Sequence, residues 1–123
     1  MIGDLFNTNR KRDVKTRQDQ VMFYGHKYKR DPKTGYYVCT SGNRKRLHVA
    51  MWEAVHSGRR VPPGCVIHHL DWDKSHNEID NLICVTVKEH EMIHNIMGGE
   101  VGRKYGYELL KNRVDGLPPD VVK

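Results

Sequence analysis

CVIHHLDWDKSHNEIDNLICVTVKEHEMIHNIM, residues 65–97, is the stretch that decides how this chain folds. Cys65-Val66-Ile67 is a short apolar, β-branched run between Pro62-Pro63-Gly64 and a polar stretch, so it reads as a strand. Leu82 to Val85 reads as a second strand. Thr86 and Glu89 then have capping-box spacing, in which the Thr hydroxyl accepts from the third helical amide and the Glu carboxylate reaches back to the cap amide. The helix that follows is expected from Val87 to Met97, with Gly98-Gly99 as its stop.

On that helix His90 and His94 stand one turn apart on a common face, and Met92 and Ile96 form a separate pair at the same spacing. His68 and His69 end the first strand, where successive side chains point to opposite faces. One imidazole of the pair can therefore join His90 and His94 while the other approaches from a different direction. Neutral imidazole ligates divalent metals and also accepts a proton from water near neutral pH. Three His ligands with open positions suit a catalytic rather than a closed structural site. Asp71 and Asp73 have two readings, supplementary ligands or Asx turns, and the turn reading is favoured in a loop. Asn77 is read as a brace of the same loop.

The order His68-His69, Asn81, His90 resembles the HNH nuclease family, whose fold is built on a ββα-metal unit. The resemblance covers roughly residues 22–97. It includes Arg46 to Ala54, which is similar to the helix preceding the catalytic motif in HNH proteins of phages and mobile introns. It implies His68 as a metal ligand, His69 as general base, and Asn81 as the residue that fixes the loop and, in many members, holds the base imidazole. It implies His90 as the next ligand, and His94 as the extra helical ligand of the colicin-type members; other members place Asp or Asn among their ligands. His48 matches a frequent His of the preceding helix and is read as structural rather than as a DNA contact.

Outside this unit, Gln20–Lys29 and Tyr36–Thr40 read as two strands around the turn residues Asp31 to Gly35. Leu47 to His56 reads as a helix with Leu47, Ala50, Met51, Ala54 and Val55 on one face, ended by Gly58. A short helix is expected near Tyr105–Arg113. The expected class is thus α+β, an N-terminal β-hairpin and helix packed on a ββα-metal HNH core. The expected organisation is a basic arm over 1–19, the nuclease domain over 20–98 and a helical extension over 99–123.

Lys plus Arg number 21 against 15 acidic residues, a formal net charge of +6, and such a field attracts polyanions. The basic residues cluster at Arg10-Lys11-Arg12, Lys27 to Arg30, Arg44-Lys45-Arg46 and Arg59-Arg60. Arg59 and Arg60, just ahead of the His-pair strand, lead the expected phosphate contacts, followed by Arg44, Lys45 and Arg46. Tyr24, Tyr28, Tyr36 and Tyr37 either add contacts or fill the strand core. The three cysteines include no Cys-x-x-Cys pair, which excludes the four-Cys zinc site of some HNH proteins and fits a reducing, cytoplasmic setting. No apolar run is long enough for a membrane span, and the start lacks the pattern of a signal peptide.

The leading expectation is a metal-dependent DNA endonuclease that nicks or cuts both strands, using a His base and one divalent ion. His-only ligation favours zinc or nickel, whereas many HNH enzymes work with magnesium or manganese. The helix start at Val87 is expected to aim amide groups at the phosphate. The resemblance to free-standing phage and homing proteins implies DNA as partner, with the phage packaging terminase as a further one, in an infected or bacterial cell. The alternatives are a non-catalytic DNA-binding module that keeps the HNH shell and a zinc-stabilised interaction domain. Intact His68, His69, Asn81, His90 and His94 weigh against the first.

Overall fold

The computed structural model describes residues 18–42 and 44–121. Most of the expected N-terminal arm, with its basic cluster at 10–12, lies outside the described residues. The architecture is α+β: strands β1 (Gln20–Phe23), β2 (His26–Arg30) and β3 (Tyr37–Cys39), helix α1 (Leu47–Val55), strands β4 (Cys65–His69) and β5 (Leu82–Thr86), helix α2 (Val87–Glu91) and helix α3 (Gly99–Leu110). The first three strands form one antiparallel sheet in the order β1-β2-β3, and β4 with β5 forms a separate antiparallel hairpin.

The long first strand expected over Gln20–Lys29 is in fact a hairpin. Tyr24 and Gly25 both take positive φ, 49° and 78°, the conformation of a two-residue turn, and Phe23 pairs with His26 across it. The turn expected at Asp31 to Gly35 is present between β2 and β3, closed by Gly35 N–H to Asp31 O (2.7 Å) and Asp31 N–H to Tyr36 O (2.8 Å). The N-terminal part is therefore a three-stranded meander rather than one hairpin.

Between its histidine end and Thr86 the β4–β5 hairpin is apolar because both of its faces are covered. On one side Ile67, Leu82 and Cys84 pack with Trp52 of α1 and Leu117. On the other, Ile83 and Val85 pack with Leu70, Ile93 and Leu109. A third cluster, Tyr28, Tyr37, Cys39 and Leu47, seats the meander on α1. Each fully buried aliphatic or aromatic side chain contributes roughly 1.5–3 kcal/mol, so these clusters hold the fold together. The buried residues of α1 are Leu47, His48 and Trp52, while Val55 is exposed, so the helix faces the core about one residue away from the expected stripe. Trp52, with its large buried ring, sets that rotation.

The capping box at α2 forms as expected: Glu89 N–H donates to Thr86 Oγ1 (3.0 Å) and Thr86 N–H to Glu89 Oε1 (2.9 Å). Arg113 locks this end, its guanidinium donating to Cys84 O (2.9 Å) and pairing with Glu89 Oε1 (2.7 Å). Beyond Glu91 the helix widens into π-helical turns over Met92–Met97, a geometry common at functional sites.

The C-terminal helix departs most from expectation. It spans Gly99–Leu110, starting immediately after Gly98, whose φ of 64° breaks the preceding helix. Gly102 and Gly106 weaken a helix when judged by propensity alone. Here they let α3 lie against the hairpin. A Cβ at Gly102 would run into the Ile93 carbonyl and come within 3.2 Å of the Trp72 ring, and one at Gly106 would lie 3.8 Å from His68 Nε2.

Candidate active site

The lengths of strand and helix bring the histidines level. His68 lies three residues into β4 from Cys65, about 10 Å at strand rise. α2 runs back from Val87, and the turns that follow it continue in the same direction. His90 and His94 therefore arrive beside His68. Ring centroids are 5.4 Å apart for His68–His90, 5.0 Å for His68–His94 and 4.6 Å for His90–His94. One nitrogen from each ring lies within 4.8 Å of the other two.

This donor set fits a divalent metal. Bonds of about 2.0–2.1 Å place two ligand nitrogens of a tetrahedral site roughly 3.4 Å apart. His68 Nδ1 and His94 Nε2 already stand at 3.4 Å. Burial, reinforced by the other imidazoles, pushes the pKa of His68 down to about 3. His90 is lowered by burial and by His94, and His94 by burial and by the Lys74 charge. All three rings are thus neutral at neutral pH and offer lone pairs.

His69 projects to the opposite side. Its Nε2–H donates to Asn77 Oδ1 at 2.8 Å, and Asn77 is oriented by its own Nδ2–H donating to Lys74 O at 3.2 Å. Its pKa is lowered by burial, a shift that the Asn77 bond partly offsets. The loop between the strands is braced from within. Asn81 Nδ2 donates to Asp71 Oδ1 (3.0 Å) and His76 O (2.9 Å), while its Oδ1 accepts from Asp71 N–H (3.2 Å). Asp71 and Asp73 make Asx turns, accepting from the amides of Asp73 and Ser75 at 2.9 Å each. Each ring nitrogen of His76 faces a carboxylate, Asp71 at 2.5 Å and Glu78 at 2.8 Å.

A β-hairpin ending in two divergent histidines, a loop held by an asparagine, and a capped helix returning with His90 form the catalytic unit of a known nuclease family. Residues 45–92 match the family model described as HNH endonuclease. This segment is similar to the HNH family. No curated protein and no solved structure matches the chain.

The structure brings His68, His90 and His94 together, the last just beyond the matched segment, and sets His69 apart. Asn81 holds the loop, but the His69 ring donates its hydrogen bond to Asn77, whereas the resemblance implies Asn81 for that contact. At the α2 N-terminus two of the first amides are already taken: Val87 N–H donates to Gly64 O (3.0 Å) and Glu89 N–H to Thr86 Oγ1 (3.0 Å). That N-terminus also lies at the Cys65 end of the hairpin, remote from His69, because Cys65 pairs with Thr86 and His69 with Leu82. His48 is buried with its ring 4.6 Å from that of His69, and burial followed by the neighbouring His69 charge pushes its pKa down to about 3.

Of the basic residues, Arg59 and Arg60 are exposed on the loop between α1 and β4, outside the cleft lining. Arg44 is exposed ahead of α1, and Lys45 pairs with Glu53 at 2.5 Å. Arg46 lies on the Tyr36 ring at 4.1 Å from its centroid. The cleft over the histidines is also lined by Tyr36, Trp72 and Lys74. Sequence reading missed Lys74 and Trp72, since nothing in a linear loop shows which of its side chains will turn toward the histidines.

Proposed function

We propose that this protein is a metal-dependent DNA endonuclease, in which His68, His90 and His94 hold one divalent ion and His69 is the general base. The observation that carries the reading is the asymmetry of the His68-His69 pair. Three neutral imidazoles converge without carboxylate partners on one side, and a single imidazole with its tautomer set by Asn77 stands on the other. A divalent ion bound there supplies Lewis-acid charge at the phosphate.

With Nε2–H given to Asn77, the lone pair of His69 lies on Nδ1. That atom takes a proton from a water in line with the phosphorus. The water oxygen bonds to phosphorus as the P–O3′ bond breaks, and the departing 3′ oxygen takes a proton from solvent, leaving a 5′-phosphate and a 3′-hydroxyl. General-base assistance of this kind is typically worth ~10²–10⁴-fold in rate. Burial keeps His69 unprotonated at neutral pH, so it is ready to accept. We assign the nuclease domain to residues 20–98 and treat 99–123 as an extension that braces it.

Supercoiled plasmid incubated with magnesium, manganese, zinc or nickel tests the proposal. Metal-dependent conversion to nicked or linear DNA, abolished by a chelator, is the expected result, and the ratio of the two forms reports single- against double-strand cutting. Plasmid left supercoiled with every ion, by folded protein, would overturn it.

A further inference from the structure

Tyr36 sits where two clefts meet. It lines the histidine cleft with Lys74, and it lines a second cavity, between α1 and β4, with Arg46 and His48. Its ring stacks on His48 at 5.2 Å between centroids and tilts toward His69 at 6.2 Å. Two cations rest on that same ring, the Arg46 guanidinium at 4.1 Å and the Lys74 ammonium at 4.6 Å from the centroid.

Lys74 is tied to the base by its own backbone, since its carbonyl accepts from the Asn77 amide that orients His69. Its ammonium donates to Thr34 O at 2.9 Å in an exposed position, and its charge reaches His94. The nearby carboxylates are engaged in the loop: Asp71 with His76 and Asn81, Asp73 with Ser75. Among the residues lining the histidine cleft Lys74 is the one with an ammonium or guanidinium group, and no carboxylate lines it. A solvent-exposed bond to one carbonyl contributes little net stability, and a lysine stem is flexible, so the ammonium can exchange Thr34 O for a phosphate oxygen.

We propose that Lys74 and Arg46, braced on Tyr36, form a phosphate clamp: Lys74 contacts the phosphate being cut, and Arg46 contacts a flanking phosphate of the same strand in the adjoining cavity. The proposal rests on the nuclease reading for the identity of the scissile phosphate. Lys74 is then a catalytic residue, stabilising negative charge that grows on the phosphoryl oxygens. Arg46 binds substrate without taking part in the chemistry, and Tyr36 positions both.

Lys74→Met keeps the aliphatic stem and removes the charge. It is expected to lower the single-turnover rate at saturating DNA about 10²-fold, the usual cost of removing one transition-state donor. Its thermal midpoint should be unchanged, and Lys74→Arg should recover part of the rate. Arg46→Ala is expected to weaken DNA binding. In metal-free binding curves it should flatten the log–log salt dependence by about 0.9. Wild-type rate and salt slope in Lys74→Met would overturn the clamp while the nuclease reading stands. A flattened salt slope in Lys74→Met with an unchanged saturated rate would overturn its assignment to the scissile phosphate. If the wild-type protein cuts no DNA, the nuclease reading falls. The metal-free curves then decide the clamp separately, and unchanged slopes for both variants overturn it.

Discussion

The two faces of the His68-His69 strand end carry the same side chain in opposite circumstances. On the His68 face, three imidazoles meet each other, and α3 closes the rear through glycines, leaving His68 Nε2 buried without a partner. On the His69 face, one imidazole is hydrogen-bonded to Asn77 and packed among His48 and Tyr36, and the loop behind it is crossed by side-chain hydrogen bonds. A ligand needs a lone pair aimed at a shared point, and mutual convergence supplies that. A base needs one known tautomer, and that takes a fixed hydrogen-bond partner. Neighbours in sequence thus acquire different chemistry from what surrounds them.

The largest effect expected to break this comparison is on the base face. His69→Ala should reduce the cleavage rate by ~10²–10⁴-fold with metal and DNA affinity nearly intact. Near-normal single-turnover cleavage by this variant would move the base elsewhere. On the ligand face, His68→Ala and His90→Ala should each weaken metal binding by more than the ~10–100-fold that follows loss of an outer hydrogen-bond partner, and His94→Ala should weaken it less. Calorimetric titration of the metal-free protein measures this, and unchanged affinity in the first two variants would remove the site.

Gly102→Ala sharpens the contrast by loosening only the ligand face. In an exposed helix this change stabilises by ~1 kcal/mol. Against Ile93 and Trp72 it should instead cost ~1–3 kcal/mol, lowering the thermal midpoint. A raised midpoint would show that α3 does not press on Ile93 and Trp72 as described.

Acid should act on both faces together. His48 and His68 are held near 3, against an ordinary value of 6.5, so the unfolded chain binds protons that the folded one excludes below pH 6.5. Their contribution to stability is complete above that value and is lost progressively as pH falls toward 3. His69, His90 and His94, also lowered, act in the same direction. Denaturant midpoints of the metal-free protein at pH 7.5 and 5 give the measurement, and His48→Gln should reduce the difference. The smallest effect lies outside both faces: replacing Arg59 and Arg60 by Ala should flatten the salt dependence of DNA binding by ~0.9 per lost phosphate contact. An unmoved slope would make them solvating residues of a turn.

Periodicity and capping chemistry are local, and so β4, β5 and the start of α2 were legible from residues 65–97. The i, i+4 spacing of His90 and His94 follows from helix geometry, and the divergence of His68 from His69 from strand geometry. The break at Tyr24-Gly25 is not legible in the sequence, because a single Gly in an otherwise alternating run does not reveal that its neighbour also takes positive φ. The start of α3 at Gly99 is hidden in the sequence because glycine lowers helix propensity, a penalty that packing against Ile93, Trp72 and His68 offsets.

By itself the sequence determined that an apolar hairpin leads into a capped helix with histidines on one face, since these features depend on neighbours a few residues apart. Only the tertiary structure decided that Asn77 rather than Asn81 holds the His69 ring, that His48 stands beside it, and that Lys74 and Arg46 share Tyr36. Each of these contacts joins separate elements across the fold. Their geometry depends on how the meander, α1 and the loop close on one another, which no local spacing encodes.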